Sequence, residues 1–202
     1  MNKKHLSASR IKTLETCSWS YWSNYHTDVP QIPNEGALRG TISHLILELL
    51  LNPRHKKHFD DIIEAGTIEG SKSVAKLVRK HTHQSEMLSK NFDENYELID
   101  EFILVGLKND FFGGSGEEVD EPEKRFDIKS KDPVYSILGF IDKPVCNHKK
   151  KEVTIVDYKT SKYKFRGEEL TANIQAMMYT LAAKELWPEY KTVVRFLFLR
   201  HG

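Results

Sequence analysis

The sequence predicts an α/β (α+β) fold in which a helical region is followed by a mixed β-sheet in the order β-β-β-α-β. Two observations lead to this prediction. Apolar residues recur at helical spacing over most of residues 1–110, whereas residues 123–159 contain three short segments rich in β-branched and aromatic residues. After the three segments, residues 168–187 show the apolar spacing of a helix and residues 192–200 form a last apolar segment. Together these segments predict an α+β or α/β core.

The helical region is predicted element by element. Ser7 is a candidate N-cap, and the apolar spacing behind it predicts an amphipathic helix over roughly residues 8–26. A second helix is predicted over residues 36–52, and residues 55–108 are predicted to be mainly helical. Residues 111–123 combine glycines, acids and a proline, which is typical of a loop.

Three strands are predicted next, over residues 123–129, 134–142 and 152–159, paired as a meander. A helix is predicted over residues 168–187 and a final strand over residues 192–200. This last strand is apolar on both faces, and we expect it to be a buried central strand.

The composition indicates one globular unit. The chain has 202 residues, of which 39% are hydrophobic and 29% are charged, with a net charge of +1. This length favours a single domain spanning residues 1–202, with a mainly helical part at 1–110 and the β-β-β-α-β core at 120–202. No apolar stretch approaches the roughly 18 residues of a membrane span, and the basic start lacks the apolar run of a secretory signal. We therefore expect a cytoplasmic protein without a membrane partner.

The small net charge hides two oppositely charged segments. Residues 92–123 carry 11 acids and one base, whereas residues 143–166 carry eight bases and two acids. The basic segment could bind a polyanion. For Lys149, Lys150 and Lys151 the alternative is a solvated hairpin tip.

Three charged side chains are predicted to converge near one end of the sheet. Asp157 and Lys159 lie two residues apart on a strand and share a face, and a hairpin would bring Asp142 beside Asp157. Crowded carboxylates favour a hard divalent cation, which can lower the pKa of a bound water. These groups suit metal-assisted phosphodiester hydrolysis. The alternative is an exposed strand face with an ordinary charge pair.

Five sequence elements, in order, resemble the PD-(D/E)XK nuclease superfamily, in its branch of RecB-like nuclease domains, phage exonucleases and CRISPR-adaptation nucleases. They are the opening helix at residues 6–25, Gly40 with His44, GFID at residues 139–142, IVDYKTSK at residues 155–162, and Gln175 with Tyr179. The resemblance implies a restriction-endonuclease-like core.

The resemblance also implies site residues and a cofactor, Mg²⁺ or Mn²⁺. The implied metal ligands are His44, Asp142, Asp157, the backbone carbonyl of Tyr158 and Glu123. Lys159 would be the catalytic lysine, and Gln175 and Tyr179 would hold this lysine or the scissile phosphate. The alternatives are a core histidine for His44, a surface loop for Glu123 and plain helix surface for Gln175 and Tyr179.

Many relatives in this branch hold an iron–sulfur cluster through four cysteines. Only Cys17 matches that pattern, and Cys146 does not. We therefore expect no cluster in this chain and a buried, hydrophobic role for Cys17. The alternative is a chain that has lost a C-terminal segment with further cysteines.

The function implied by the resemblance is that of a divalent-metal-dependent DNA nuclease. We expect an exonuclease that acts on single strands or duplex ends in recombination, repair or phage DNA processing, with a recombinase, a helicase or a second copy as further partners. DNA contacts are predicted at Lys162, Lys164, Arg166, Lys149, Lys150 and Lys151. Trp19, Tyr21, Trp22 and Tyr25 could stack on bases, although their helical spacing favours a core stripe.

Three alternatives remain open at this point. The first is a structure-selective endonuclease of the junction-resolvase type, which would need a symmetric dimer. The second is a non-catalytic DNA-binding or assembly subunit that retains the nuclease fold. The third is an RNA substrate.

Overall fold

The computed structural model describes residues 4–129 and 135–202. The helices are α1 (Ala8–Thr16), α2 (Ser18–His26), α3 (Glu35–Leu51), α4 (Lys56–Ala65), α5 (Lys72–Gln84), α6 (Glu86–Ser89), α7 (Phe92–Lys108) and α8 (Ile174–Leu186). The strands are β1 (Lys4–Leu6), β2 (Glu118–Val119), β3 (Lys124–Lys129), β4 (Tyr135–Ile141), β5 (Lys143–Asn147), β6 (Glu152–Lys159) and β7 (Lys191–Phe198). Within these ranges the architecture is the predicted mixed α/β fold with a helical N-terminal region.

Helices α3 and α7 form the centre of the helical region. Leu47 of α3 and Phe102 of α7 are buried, as are most apolar residues on the facing sides of the two helices. Gly106 permits this close packing, because a Cβ atom there would lie 2.7 Å from a methyl group of Leu47. Burial of each such side chain contributes roughly 1.5–3 kcal/mol.

The strands form two sheets in the order β2-β5-β6-β7 and β1-β4-β3. Strand β6 pairs with β5 in the antiparallel direction and with β7 in the parallel direction. Its side chains alternate between two cores. Val156 and Tyr158 pack with the α3–α7 core, whereas Val153 and Ile155 pack with residues of α8. Strand β6 is therefore covered on both faces.

The predicted second strand is confirmed as β4, but the meander is wrong in one respect, because a further strand, β5, follows β4 and pairs with β6 in its place. Strand β4 ends at Ile141 and pairs with β3, whereas β5 begins at Lys143 and pairs with β6. Asp142 lies at the corner where the chain passes from one sheet to the other. Residue 134 of the predicted strand lies outside the described residues.

Three other features differ from the prediction: two helix boundaries and the position of one strand in its sheet. The opening helix is divided at Cys17, whose backbone is extended and whose Sγ accepts a hydrogen bond from the amide of Ser20. Helix α8 begins later than predicted, where Asn173 caps it by accepting a hydrogen bond from the amide of Ala176. Strand β7 is an edge strand of the described sheet rather than a central one.

The predicted burial of the opening helix is also wrong. Trp19 is 71% exposed, Trp22 is 49% exposed, and Cys17 lies on the surface. The two indole rings stack on each other instead of packing into a core. Among the described residues, no helix has the length and hydropathy that a membrane crossing requires.

Candidate active site

The site lies at the C-terminal end of β6. Residue alternation places Asp157 and Lys159 on the face covered by α8, and Tyr158 on the opposite face, toward α3. The register pairs Lys143 with Val156, which brings Asp142 next to Asp157 as expected. The amide of Tyr158 donates a hydrogen bond of 2.7 Å to Asp142 Oδ2, so the backbone of β6 orients this carboxylate.

A hydrogen-bonded network links the β6 end to α8. Lys159 Nζ lies 2.5 Å from Asp157 Oδ2 and donates a hydrogen bond of 2.8 Å to Gln175 Oε1. The amide nitrogen of Gln175 donates to Asp157 Oδ1 at 2.7 Å, and the Tyr179 hydroxyl donates to the same oxygen at 2.6 Å. One turn of α8 separates Gln175 from Tyr179, so both reach the buried carboxylate together.

Burial shifts the pKa values of two residues of this network, Asp157 and Tyr179. Burial and the neighbouring Asp142 raise the pKa of Asp157 above its ordinary value, although Lys159 and Tyr179 oppose the shift. Burial and the charge of Asp157 also raise the pKa of Tyr179, so its hydroxyl stays a hydrogen-bond donor at neutral pH.

His44 reaches the site from α3. Its Nε2 lies 3.0 Å from the carbonyl oxygen of Tyr158, and its Nδ1 lies 3.5 Å from Asp142 Oδ2. Gly40, one turn earlier, explains how α3 comes so close, because a Cβ atom there would lie 2.9 Å from Thr160 Oγ1. Burial alone lowers the pKa of His44, but the hydrogen bond that its imidazole donates to Asp142 and the charges of the surrounding carboxylates raise it overall.

Glu123 approaches the same point from the loop before β3. Its backbone is left-handed, with φ 51°, and its amide donates to the carbonyl oxygen of Asp142 at 3.1 Å. Burial and the charge of Asp142 raise the pKa of Glu123 above its ordinary value. Both causes disfavour the charged form of this carboxyl group.

His44, Glu123 and Asp142 form a group of potential metal donors, with one ligand atom from each residue within 4.8 Å of the others. One imidazole and two carboxylates suit a divalent cation such as Mg²⁺ or Mn²⁺. The positive charge of such an ion would favour the charged form of Glu123, against the burial and the repulsion from Asp142 that raise its pKa. Asp157 is not a member of this group, and its oxygens contact Lys159, Gln175 and Tyr179.

A cleft of about 560 Å³ adjoins this group between the first turns of α3 and the segment after β6. His44, Lys159 and Lys162 line it. Of the other predicted DNA contacts, Lys164 and Arg166 are exposed just beyond Lys162.

Lys149, Lys150 and Lys151 lie at the other end of β6. This eight-residue strand spans about 23 Å, so the three lysines are remote from Lys159. Lys151 pairs with Glu189, with Nζ 3.0 Å from Oε2. The structure therefore does not bring these lysines together with the rest of the site.

Lys143 belongs to the basic segment of the sequence, but it is not on the surface. Its side chain is buried, and its Nζ donates hydrogen bonds to the carbonyl oxygens of Asp110 and Phe111 at 3.1 and 3.3 Å. It is therefore unavailable to a polyanion. Burial lowers the pKa of Lys143 to about 8.

Sequence reasoning missed Arg39, which lines the cleft one residue before Gly40. Its partner is Asn95 of α7, which accepts a hydrogen bond from Arg39 Nη1. The two residues are 56 positions apart, so no local pattern connects them. The adjacency of Arg39 to the Gly40–His44 pair was the only available signal.

Comparison with known proteins agrees with the geometry. The family model of the PD-(D/E)XK nuclease superfamily matches residues 5–201, almost the whole chain. Among curated proteins, none matches the chain significantly.

Proposed function

This chain belongs to the PD-(D/E)XK nuclease superfamily, and from that premise we propose that it is a divalent-metal-dependent deoxyribonuclease acting as an exonuclease. Membership implies a nuclease, a phosphodiester-hydrolysing enzyme with DNA as substrate, and nucleases of this superfamily use divalent metal ions. The exonuclease mode, the choice of Mg²⁺ or Mn²⁺ and the cellular process belong to the proposal.

One observation carries the catalytic part of the proposal. The donor group of His44, Glu123 and Asp142 adjoins the Lys159–Asp157 pair through Tyr158, whose amide contacts Asp142 and whose carbonyl contacts His44. His44 of this donor group and the ammonium group of Lys159 line the same cleft, and metal-assisted hydrolysis requires a cation site beside such a charge-stabilising group. A non-catalytic subunit would have no use for this arrangement.

Each residue has a distinct role in the proposed mechanism. His44, Glu123, Asp142 and the carbonyl of Tyr158 would hold the metal ion, with Asp157 adding negative charge behind them. A bound ion supplies Lewis acidity, which lowers the pKa of a water and neutralises phosphate charge.

Lys159 would orient the attacking water and stabilise the charge that develops on the phosphate. Gln175 and Tyr179 position Lys159 and Asp157 through the hydrogen bonds described above. Lys162, Lys164 and Arg166 would contact backbone phosphates, and Lys149, Lys150 and Lys151 could contact a longer strand only at a distance. Phosphate contacts of this kind are independent of sequence, which suits an enzyme guided by strand ends.

The proposal extends to a setting in DNA recombination, repair or phage DNA processing, in the cytoplasm, with a helicase, a recombinase or a second copy as partner. It rests on the resemblance of the motifs to RecB-like nucleases and phage exonucleases. We favour end-directed cleavage over junction resolution on that same resemblance.

The test is degradation of end-labelled linear DNA and of circular DNA, each single- and double-stranded, in Mg²⁺, Mn²⁺ or EDTA. We expect metal-dependent loss of linear DNA, intact circular DNA, and a rate about 100- to 1,000-fold lower in Lys159→Ala because charge stabilisation is lost. Lys76→Ala removes an exposed lysine of α5 and should retain wild-type activity.

Cleavage of circular DNA would replace the exonuclease proposal with an endonuclease. A folded protein that binds DNA but cleaves none of these substrates would overturn the catalytic proposal.

A further inference from the structure

We propose that Arg39 binds a second phosphate of the nucleic-acid strand, near the scissile phosphate, in the cleft beside His44. The inference rests on the nuclease function proposed above and assigns a substrate-binding residue to it. The ligand is a phosphate oxyanion, either an internal diester or the terminal phosphate of a strand.

The lining of the cleft is positively charged. Arg39 and Arg200 line it together with Lys159 and Lys162, and among the described residues no Asp or Glu side chain is part of the lining. A concave surface with cations of one sign concentrates an anionic ligand. Lys159 belongs to the proposed catalytic centre, which leaves the other three cations for phosphates farther along the strand.

Arg39 differs from Lys162 and Arg200 because other side chains hold its guanidinium in place. Its Nη1 donates a hydrogen bond of 2.5 Å to Asn95 Oδ1, and Glu35 Oε2 lies 3.4 Å from the same nitrogen. Only 15% of the Arg39 side chain is exposed, whereas Lys162 and Arg200 are exposed residues. Binding a ligand therefore requires little further ordering of Arg39.

The orientation of Asn95 is itself determined by its surroundings. It is buried, and its amide nitrogen donates to the carbonyl oxygens of Leu88 and Asn91 at 3.1 and 2.9 Å. Since the nitrogen is engaged by these two carbonyls, the oxygen must face Arg39. The fixed side-chain oxygen of Asn95 therefore holds the guanidinium of Arg39 in one orientation.

The guanidinium retains donors for a ligand. Both of its protein contacts use Nη1, and its Nε and Nη2 have no acceptor among the described residues. Two N–H groups on one edge of a guanidinium match two oxygens of a phosphate. Arg39 precedes His44 by five residues of α3, about 7.5 Å along the axis, which is on the scale of the distance between neighbouring phosphates of a strand.

The experiment measures binding separately from cleavage. Fluorescence anisotropy in EDTA would give the affinity of a labelled 20-nucleotide single strand at 50–200 mM salt for the wild type, Arg39→Met and Arg54→Met. Arg54 is exposed beyond the other end of α3 and serves as the matched control. We expect Arg39→Met to bind about tenfold more weakly, with a salt slope smaller by about 0.7, and Arg54→Met to match the wild type.

Strands with and without a terminal phosphate distinguish the two sources of the ligand. If the phosphate is terminal, its removal should weaken wild-type binding about tenfold and leave Arg39→Met unaffected. If it is internal, removal of the terminal phosphate should affect the wild type and Arg39→Met equally.

Wild-type affinity and salt slope in a folded Arg39→Met protein would overturn the proposal. If thermal unfolding shows that Arg39→Met does not fold, Arg39→Lys tests the same point, because it keeps the charge and loses the planar fork. It should bind severalfold more weakly with an unchanged salt slope, and wild-type affinity would again overturn the proposal. Because these assays contain no metal, their outcome is independent of whether the protein cleaves DNA.

Discussion

The two halves of the site differ in how completely their charges are matched. On the α8 side, the carboxylate of Asp157 contacts an ammonium, an amide and a hydroxyl, all supplied by the protein. On the α3 side, Glu123 and Asp142 lie together with His44, and the pKa values of both His44 and Glu123 are raised. The protein itself supplies partners for the charge on the α8 side, whereas the α3 side has an excess of negative charge.

This difference indicates a division of labour. The α8 half orients Lys159 without any cofactor, so its geometry should survive removal of metal. The α3 half gathers two carboxylates that repel each other, which is unfavourable until a cation neutralises them. Variants on the two sides should therefore respond differently to added metal.

The largest expected effect concerns metal-induced stability. At a metal concentration about 100 times the dissociation constant, Mn²⁺ should stabilise the wild type by about 2.7 kcal/mol. Lys159→Met should keep this gain although it is inactive, whereas Asp142→Asn should lose most of it. Thermal unfolding with Mn²⁺ and with EDTA measures the two gains.

Asp120→Asn, which changes a carboxylate that pairs with Lys124, is the matched control and should behave as the wild type does. An equal gain in Asp142→Asn and the wild type would show that the donor group is not the metal site.

The corner that carries Asp142 also carries the buried Lys143, and this predicts a pH effect of about 2 kcal/mol on folding. Its pKa in the folded protein is about 8 against an ordinary value of 10.5, chiefly because of burial. The unfolded chain therefore binds more protons between these two pH values, so stability rises as the pH rises from 8 toward 10.5. Each pH unit in this window is worth up to about 1.4 kcal/mol.

Urea unfolding of the wild type and Lys143→Met between pH 7 and 10 isolates this effect from other titrating groups. The stability of the wild type should rise relative to that of the variant across the range. A constant difference between the two proteins would show that Lys143 has an ordinary pKa.

The third prediction concerns the distance between α3 and β6. The expected loss of folding stability on Gly40→Ala is about 1–2 kcal/mol. The Cβ atom of Gly40→Ala would meet Thr160 Oγ1 at 2.9 Å and displace α3, and His44 with it. We expect lower stability and weaker metal binding. Thr160→Ala removes the obstructing atom and should restore both in the double variant.

The double-mutant cycle should therefore be strongly non-additive. Additive effects would mean that the two residues do not limit the approach of α3. Metal titration monitored by thermal unfolding provides both readouts from one experiment.

The fold could be predicted from sequence to the extent that periodicity determines it. The helix at Glu35–Leu51 and the strand at Glu152–Lys159 follow their apolar patterns closely. The predicted end of the second strand at residue 142 is close to the end of β4, but β5 and the change of sheet at Asp142 were missed, because only strand pairing shows them. The exposure of Trp19 and Trp22 was missed because helical spacing does not say whether a face has a partner.

The site was predictable where motif residues lie close in sequence. Asp157, Lys159 and their α8 partners satisfy one another within 23 residues of chain. The position of Arg39 against Asn95, and the burial of Lys143, depend on contacts across the tertiary fold that no local spacing encodes. The resemblance to a family supplied His44, which helical periodicity alone would have assigned to the core.

The smallest expected effect separates the backbone of Tyr158 from its side chain. Its amide and carbonyl contact Asp142 and His44, whereas its buried hydroxyl has no hydrogen-bond partner among the described residues. Tyr158→Phe removes only that hydroxyl, so it should leave metal binding unchanged and raise stability by up to about 1 kcal/mol. Tyr163→Phe, at a residue that is 63% exposed, should change neither quantity. Thermal unfolding with and without Mn²⁺ measures both, and a loss of metal-induced stability in Tyr158→Phe would mean that the α3 half depends on the phenol as well as on the peptide groups.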